Sequence, residues 1–389
     1  MWESILAKDY CESVRDGTHD TPKPVAIGGK PLVTSKHIKS GEVDFKSAYH
    51  ISLEDFDKIN ERSRVDKWDV LMSMIGTVGE CAVIKKEADY AIKNLALFKM
   101  GGDKTRALWL YYFLRSPMGQ GQLRANYKGT SQQFVSLTQL RNLEIPLPPL
   151  PVQRRIADIL FAYDDLIENN RRRIAILEET ARLTYRKWFG GSEQSWVAKL
   201  GKVSDFFDVS IGRTPPRKNE ECFSTESTDL KWLSIKDMRA SRVFALDTVE
   251  KLTKVGIEKT HIHVSPPGTI FLSFKLTIGE VVIAGDSMAT NEAIAHFETD
   301  DRALRDYTYF YLSSFQYDKL GSTSAIARAI NSDIVRKMDF VLPTKNILES
   351  FEKDVAPMFD QIEILVRQSA ALAAARDMLL PQLMKGYIM

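Results

Sequence analysis

Ile156, Leu160, Tyr163, Ile167, Asn170, Ile174, Leu177, Ala181, Thr184 and Trp188 recur in strict four-three steps. This spacing lays one stripe of side chains along a helix that packs lengthwise against another helix. A second stretch, Phe351, Val355, Met358, Ile362, Leu365, Ser369, Leu372, Arg376, Leu379 and Leu383, repeats the steps about 195 residues later. Before the first stripe, Ile145-Pro146-Leu147-Pro148-Pro149-Leu150 reads as extended chain, because proline disfavours helix in the residue before it, and Pro151 suits a first helical turn. Each helix then runs on the order of 55 Å, longer than a domain of about 150 residues covers. The competing reading, an amphipathic helix lying on its own domain, leaves much of that stripe in water. The two helices are therefore expected to pair, antiparallel, as an approximate two-fold relation between like halves implies. Asn170, Ser369 and Arg376 put polar groups in the seam, where they favour one register, and Pro357 is expected to bend the second helix.

Similar offsets, between 193 and 200 residues, run through the rest of the chain. Val14-Arg15-Asp16-Gly17-Thr18 matches Val209-Ser210-Ile211-Gly212-Arg213, and Thr77-Val78-Gly79-Glu80 matches Thr277-Ile278-Gly279-Glu280. A repeat this long is a duplicated domain rather than a solenoid unit. Each copy opens with short β-type runs, such as 69–75 and 268–274, and brief helical patches at Ala107 to Leu114 and Tyr307 to Leu312. The fold expected is α+β: two α/β domains, residues 1–150 and 191–344, each followed by a long helix, 151–190 and 345–389, with the helices pairing as an antiparallel coiled coil.

The chain has 389 residues, too many for one core, and 44% hydrophobic with 27% charged residues marks ordinary globular protein. Cys11, Cys81 and Cys222 are widely spaced and form no CxxC or Cys/His cluster, which argues against a disulfide scaffold and structural zinc and suits a reducing compartment. No uncharged apolar run reaches the length of a membrane span and the chain opens on no signal-peptide pattern, so a cytoplasmic location is expected. No phosphate-binding GxxxxGK[ST] loop, GxGxxG turn, GxSxG elbow or HExxH helix is present. His261 and His263 share strand spacing but lack a nearby third ligand, so no metal site is expected. Thr214-Pro215-Pro216-Arg217 has neither the Asp/Asn nor the aromatic residue of an amino-methyltransferase motif and reads as a turn. No catalytic constellation emerges.

The 53 basic and 51 acidic residues nearly cancel, so local charge has to decide whether nucleic acid is a partner. Basic and amide side chains gather near glycine turns at three matched places. The first holds Gly17, Thr18 and His19 in one copy and Arg213, Arg217 and Lys218 in the other. The second holds Lys36 and Lys236. The third holds Lys128, Thr130, Ser131 and Gln132, matched by Thr323, Ser324 and Arg328. Lys, Arg, Ser and Thr suit phosphates, while Gln, Arg and His reach base edges. These are the candidate DNA-binding residues; the candidate helix-pair interface is Ile156, Leu160, Tyr163, Ile167, Ile174, Leu177, Phe351, Val355, Met358, Ile362, Leu365, Leu372 and Leu379.

Taken together, these features resemble the specificity subunit of type I restriction-modification enzymes, over nearly the whole chain. The most specific element is Ile145 to Ile156, which looks like that family's junction between a target-recognition domain and its conserved helix. Asp16-Gly17-Thr18-His19-Asp20-Thr21-Pro22 resembles the opening of a recognition domain, and Ala375 to Gly386 resembles the terminal helix. Val341-Leu342-Pro343-Thr344-Lys345 departs from the pattern, with one proline and no Gln-Arg pair, so the start of the second helix is less clearly marked. The resemblance implies a non-catalytic subunit in which each recognition domain reads half of a bipartite DNA site and the helices set the spacing. It implies no cofactor in this chain, two modification subunits that use S-adenosylmethionine, and restriction subunits that use ATP and Mg. Arg171-Arg172-Arg173 and Glu178-Glu179, outward by the heptad count, are candidate contacts for those partners. A coiled-coil scaffold that binds only protein is the alternative, and a self-contained methyltransferase or nuclease is disfavoured by the missing motifs.

Overall fold

In a computed structural model, which describes residues 2–129, 133–191, 195–320 and 330–387, the chain forms two compact units, Met1–Leu166 with Leu372–Met389, and Ile167–Ala371. The two long helices, Leu150–Phe189 and Lys345–Lys385, each give one end to either unit, so the units cut across the helical segments read from the sequence. Among the described residues no helix is long and apolar enough to cross a membrane.

The first unit has a four-stranded antiparallel sheet. The strand Leu95–Lys99 lies between Ser13–Asp16 and Val70–Ser73, and Cys81–Val83 is at the edge. The runs Val70–Ser73 and Leu95–Lys99 are almost wholly buried on both faces, which is why they read as continuous apolar stretches rather than alternating ones. The helix Lys104–Arg115, capped by the Asp103 carboxylate on the Arg106 N–H at 3.0 Å, buries every residue from Ala107 to Leu114. A smaller sheet, His50–Ile51, Lys30–Val33 and Ala91–Ile92, completes the unit with the helix Leu53–Ser63. The prolines at the junction act as expected, since Glu144–Pro146 is a strand paired with Ser4–Leu6 and the long helix starts at Leu150.

The second unit repeats this plan with Val209–Ile211, Ile294–Phe297, Ile270–Ser273 and Val281–Ala284, and adds Phe244–Ala245 as a fifth strand. Its helix Arg302–Ser314 corresponds to Lys104–Arg115. The second junction is as firmly anchored as the first despite its single proline. Asp339–Pro343 pairs along Val197–Lys202, and the Thr344 N–H donates to the Trp196 carbonyl at 2.9 Å just before the helix begins at Lys345. That helix runs through Pro357 without a break.

None of the twenty seam positions in the two helices is exposed. In the second unit Asn170 meets Gln368 at 3.1 Å and Trp188 meets Asp354 at 2.9 Å, so one helix is traversed backwards as the other advances. In the first unit Asp164 pairs with Arg376 at 2.5 Å, and Ile156 and Leu160 share a cluster with Leu380, Leu383 and Met384. Each segment also packs on the globular part of its own unit: Ile156 and Leu160 share their cluster with Tyr10, Trp109 and Tyr112, and Tyr185 stacks on Phe310 at 5.4 Å. Pairing between helices and packing on a domain, posed as alternatives by the sequence, coexist.

The outward charges sort differently from the heptad count. Glu178 turns to its own unit, 3.2 Å from Arg242, and burial pushes its carboxyl above the ordinary value. Arg171 and Arg172 are held by Glu168 at 3.1 and 2.7 Å, Glu179 lies 3.3 Å from Arg182, and Arg173 is exposed.

Candidate nucleic-acid interface

Gly17 and Gly212 hold the same place in the two units, and each is closely packed against neighbouring backbone. A Cβ on Gly17 would lie 2.4 Å from the Ile92 carbonyl oxygen, and one on Gly212 would lie 2.2 Å from that of Asn291. Both positions need the smallest residue because strand and loop backbones touch there. Gly17 is buried, so of the first loop's candidates it frames the loop while Thr18 and His19 occupy the surface.

The His19 ring is braced from both sides, Nδ1 2.9 Å from Asn94 Oδ1 and Nε2 3.0 Å from Asp16 Oδ2. Arg62 donates to the other oxygen of Asp16, so the acid is shared between a histidine and an arginine. Asn94 joins the first loop to the second: its N–H donates to the Thr18 carbonyl at 3.2 Å, and its own carbonyl accepts from Ser35 Oγ at 3.4 Å. It adopts a left-handed backbone, φ 54°, which asparagine tolerates better than most residues. A shallow cleft of about 320 Å³ is lined by the donors Thr18, His19, Lys58, Arg62 and Ser63 together with the carboxylates of Asp20 and Asp55.

Lys36 and Lys236 are each exposed at the second position of a short capped helix, Ser35–His37 and Ile235–Ala240. The caps are reciprocal, Thr34 with His37 and Ser234 with Asp237, so both lysines project from rigid turns. Burial patterns from residue 31 to 40 and from 231 to 240 are identical.

In the second unit the first loop is more committed to its own fold than the sequence suggested. Arg217 makes a two-pronged ion pair with Glu250 at 2.7 and 3.1 Å and lies over the rings of Phe223 and Trp232 at 4.6 and 4.8 Å. Arg213 donates to the Thr260 carbonyl at 2.7 Å. Lys218 is exposed. At the turn after the small sheet the units differ in sign, because Lys93 bonds Thr21 in one and Glu292 bonds Thr214 in the other. Burial pushes the Glu292 carboxyl up, but the Thr214 hydroxyl, its own backbone and the charges of Lys275 and Arg217 hold it below its ordinary value.

Lys128 and Phe134 exchange backbone hydrogen bonds at 3.0 Å and close the base of the third loop. This loop leans on the hairpin after Ser73, where the Gly76 N–H donates to the Gln133 carbonyl at 3.2 Å. Thr130, Ser131, Gln132, Thr323, Ser324 and Arg328 lie outside the described residues.

The histidine expectation changes in its partner. His263 sits not with His261 but 2.6 Å from Glu298, its ring stacked on buried His296, and the ligand atoms of the three lie within 4.8 Å of one another. The His296 nitrogens are already occupied by hydroxyls, Nδ1 by Ser210 and Ser265 at 3.0 and 3.1 Å and Nε2 by Thr290 at 2.6 Å. These hydroxyls fix the ring within the sheet, its Nε2 and Nδ1 both hydrogen-bonded inside the second unit.

Asn94, Arg62 and Glu292 were not among the residues singled out from the sequence. Only Asn94 carried a signal, an asparagine between two apolar runs where a turn is needed.

Residues 2–179 and 197–365 match the family described as the type I restriction modification DNA specificity domain. The chain belongs to that family. Two specificity subunits of Methanocaldococcus jannaschii, MjaX and MjaIX, are 24% and 23% identical to it over 100% and 99% of its length and 93% of their own. The HindI specificity subunit of Haemophilus influenzae is 28% identical over 50% of this chain and 42% of its own. A crystal structure of a type I restriction-modification S subunit from M. genitalium superposes with TM-score 0.60 at 15% identity, covering 98% of this chain and 96% of that one, a likeness of fold. A type I specificity subunit is a DNA-recognition component, not a catalytic one, and the duplicated domain suits a target in two parts.

Proposed function

We propose that the chain reads a bipartite DNA site, residues 1–150 taking one half and residues 191–344 the other, with the helix pair fixing the distance between them. The observation that carries this is the twin presentation of Lys36 and Lys236, exposed on capped turns of the same shape at matched places in two copies of one domain. A pair of basic contacts on duplicated frames suits phosphates in two separate stretches of duplex. Thr18, His19 and Lys128 in the first copy, with Arg213 and Lys218 in the second, are the further contacts. Arg217 requires release from Glu250 before it reaches DNA.

The chain itself holds no cofactor in this reading. Two modification subunits bring S-adenosylmethionine and restriction subunits bring ATP and Mg, docking on the exposed sides of the helices, in the cytoplasm. Sequencing methylated adenines in cells that carry the chain gives the site: two short motifs separated by an unread spacer are expected, and one uninterrupted motif would sink the proposal. Four residues inserted into the first long helix add about 6 Å and should change the spacer while sparing both motifs. A protein-only scaffold would show binding nearly indifferent to salt, whereas phosphate contacts make affinity fall steeply with it.

A further inference from the structure

Leu276 breaks a rule that its counterpart keeps. It stands at the tip of the hairpin between the strands Ile270–Ser273 and Val281–Ala284, 99% exposed, with a left-handed backbone at φ 62°. In the first unit the same hairpin has Gly76 there, at φ 79°, with nothing within 4 Å of where a Cβ would be. The two hairpins share one frame. The Gly79 and Gly279 N–H groups donate to the Ser73 and Ser273 carbonyls at 3.1 and 3.0 Å, and Glu80 and Glu280 N–H groups donate to the Ser73 and Ser273 hydroxyls at 3.0 Å. The turn therefore demands a left-handed residue in both copies, and glycine meets that demand freely. Leucine costs strain and leaves its whole side chain in water, with no burial in return. Such an outlier points to a use outside the chain.

Its setting indicates which use. Lys275 is the preceding residue, its ammonium 5.4 Å from the Phe274 ring centre, and the charges of Lys275 and Arg217 act together on Glu292, which is bonded to Thr214 in the loop that also carries Arg213 and Lys218. An apolar tip with basic residues behind it matches duplex DNA, where phosphates meet the rim and a base step accepts the tip.

We propose that Leu276 is a wedge that enters one base-pair step of the half-site read by residues 191–344, so that the sequence there is chosen partly by how readily that step unstacks. This rests on the DNA-reading function above. It predicts an asymmetry, because Gly76 offers no wedge to the other half-site.

The test uses the full chain, purified with the subunits that accompany it when expressed from its own locus. Duplexes of the methylated site carry 2-aminopurine at successive positions. The wild type should brighten one step in the second half-site several-fold and none in the first. Leu276→Gly should abolish that signal and weaken site binding about tenfold, leave nonspecific DNA binding unchanged, and melt no earlier than wild type. Leu276→Met should retain the signal. If no step brightens, or if Leu276→Gly brightens it equally, the wedge is wrong while bipartite reading stands. If Leu276→Gly instead releases the copurifying subunits, Leu276 is a protein contact and the wedge is wrong. A chain with no bipartite site overturns both readings.

Discussion

Two places on one scaffold are polar in one unit and apolar in the other. In the first unit, Asp164 is held by Arg376 at 2.5 Å, accepts from the Tyr112 hydroxyl at 2.8 Å and lies 3.6 Å from Arg115. At the matching positions the second has Phe359, Ala181 and Phe310, with the two phenylalanine rings stacked at 5.4 Å. In the central sheet the contrast reverses. His296 and Leu97 occupy the same register, His296 opposite Phe271 and Ser210, Leu97 opposite Leu71 and Arg15. Around His296 are Ser210, Ser265 and Thr290, whereas Leu97 clusters with Val65, Ile92 and Leu71. The backbone plan thus tolerates either a satisfied polar network or an apolar cluster at each place, provided no group is left half-satisfied.

The strongest way to break this comparison is to remove one side of the Asp164–Arg376 pair. Asp164→Ala or Arg376→Ala should destabilise the first unit by about 1–3 kcal/mol in chemical denaturation, since a largely buried charge loses its shortest ion pair while Asp377 stays with Arg376, and Tyr112 and Arg115 stay with Asp164. The pair Asp164→Phe with Arg376→Ala, borrowed from the second unit, should recover most of that loss; no recovery would mean that the scaffolds are not interchangeable there.

Next is acid. Burial, with a smaller push from His263, brings the His296 imidazole down to about 3, so it stays neutral in the fold while the unfolded ring takes a proton near 6.5. Its contribution is complete above pH 6.5 and is lost as pH falls toward 3, at up to about 1.4 kcal/mol per pH unit. Urea midpoints of the second unit between pH 7.5 and 4.5 should show this slope. His296→Leu should flatten it, at the cost of lower stability at neutral pH, where Ser265 and Thr290 lose their partner.

A smaller effect separates the hairpins. Leu276→Gly should stabilise the second unit by about 1 kcal/mol, and Gly76→Leu should destabilise the first by a similar amount, both read from thermal denaturation. Smallest of all, Lys36→Ala and Lys236→Ala should each lower the slope of log affinity against log salt by about 1 without altering either motif. Unequal slopes would show that only one copy of the turn faces phosphate.

The legible features are those written along one dimension. The stripe from Ile156 to Trp188 could be read because a helix brings residues three and four apart onto one face whatever surrounds it. The Asp16 to Pro22 loop could be recognised as a unit of sequence. Arg217 could not be judged in this way: its partner Glu250 lies on another strand connection, and the rings beneath it belong to Phe223 and Trp232. Glu178 was assigned outward by the heptad count but follows Arg242, a residue of the globular part. Asn94 and Leu276 escaped notice because their weight lies in a backbone angle, which composition does not report.

By itself the sequence determined the duplication, the two long helices, the boundary at Leu150 and the family, all of which rest on local spacing or contiguous motifs. The tertiary structure alone decided which charged side chains are tied to the fold and which are presented, that Gly17 sits against the Ile92 backbone, and that Leu276 is held out into water. The physical reason is that ion-pair partners, burial and left-handed turns are set by strands far apart in the chain, and no periodicity carries that information.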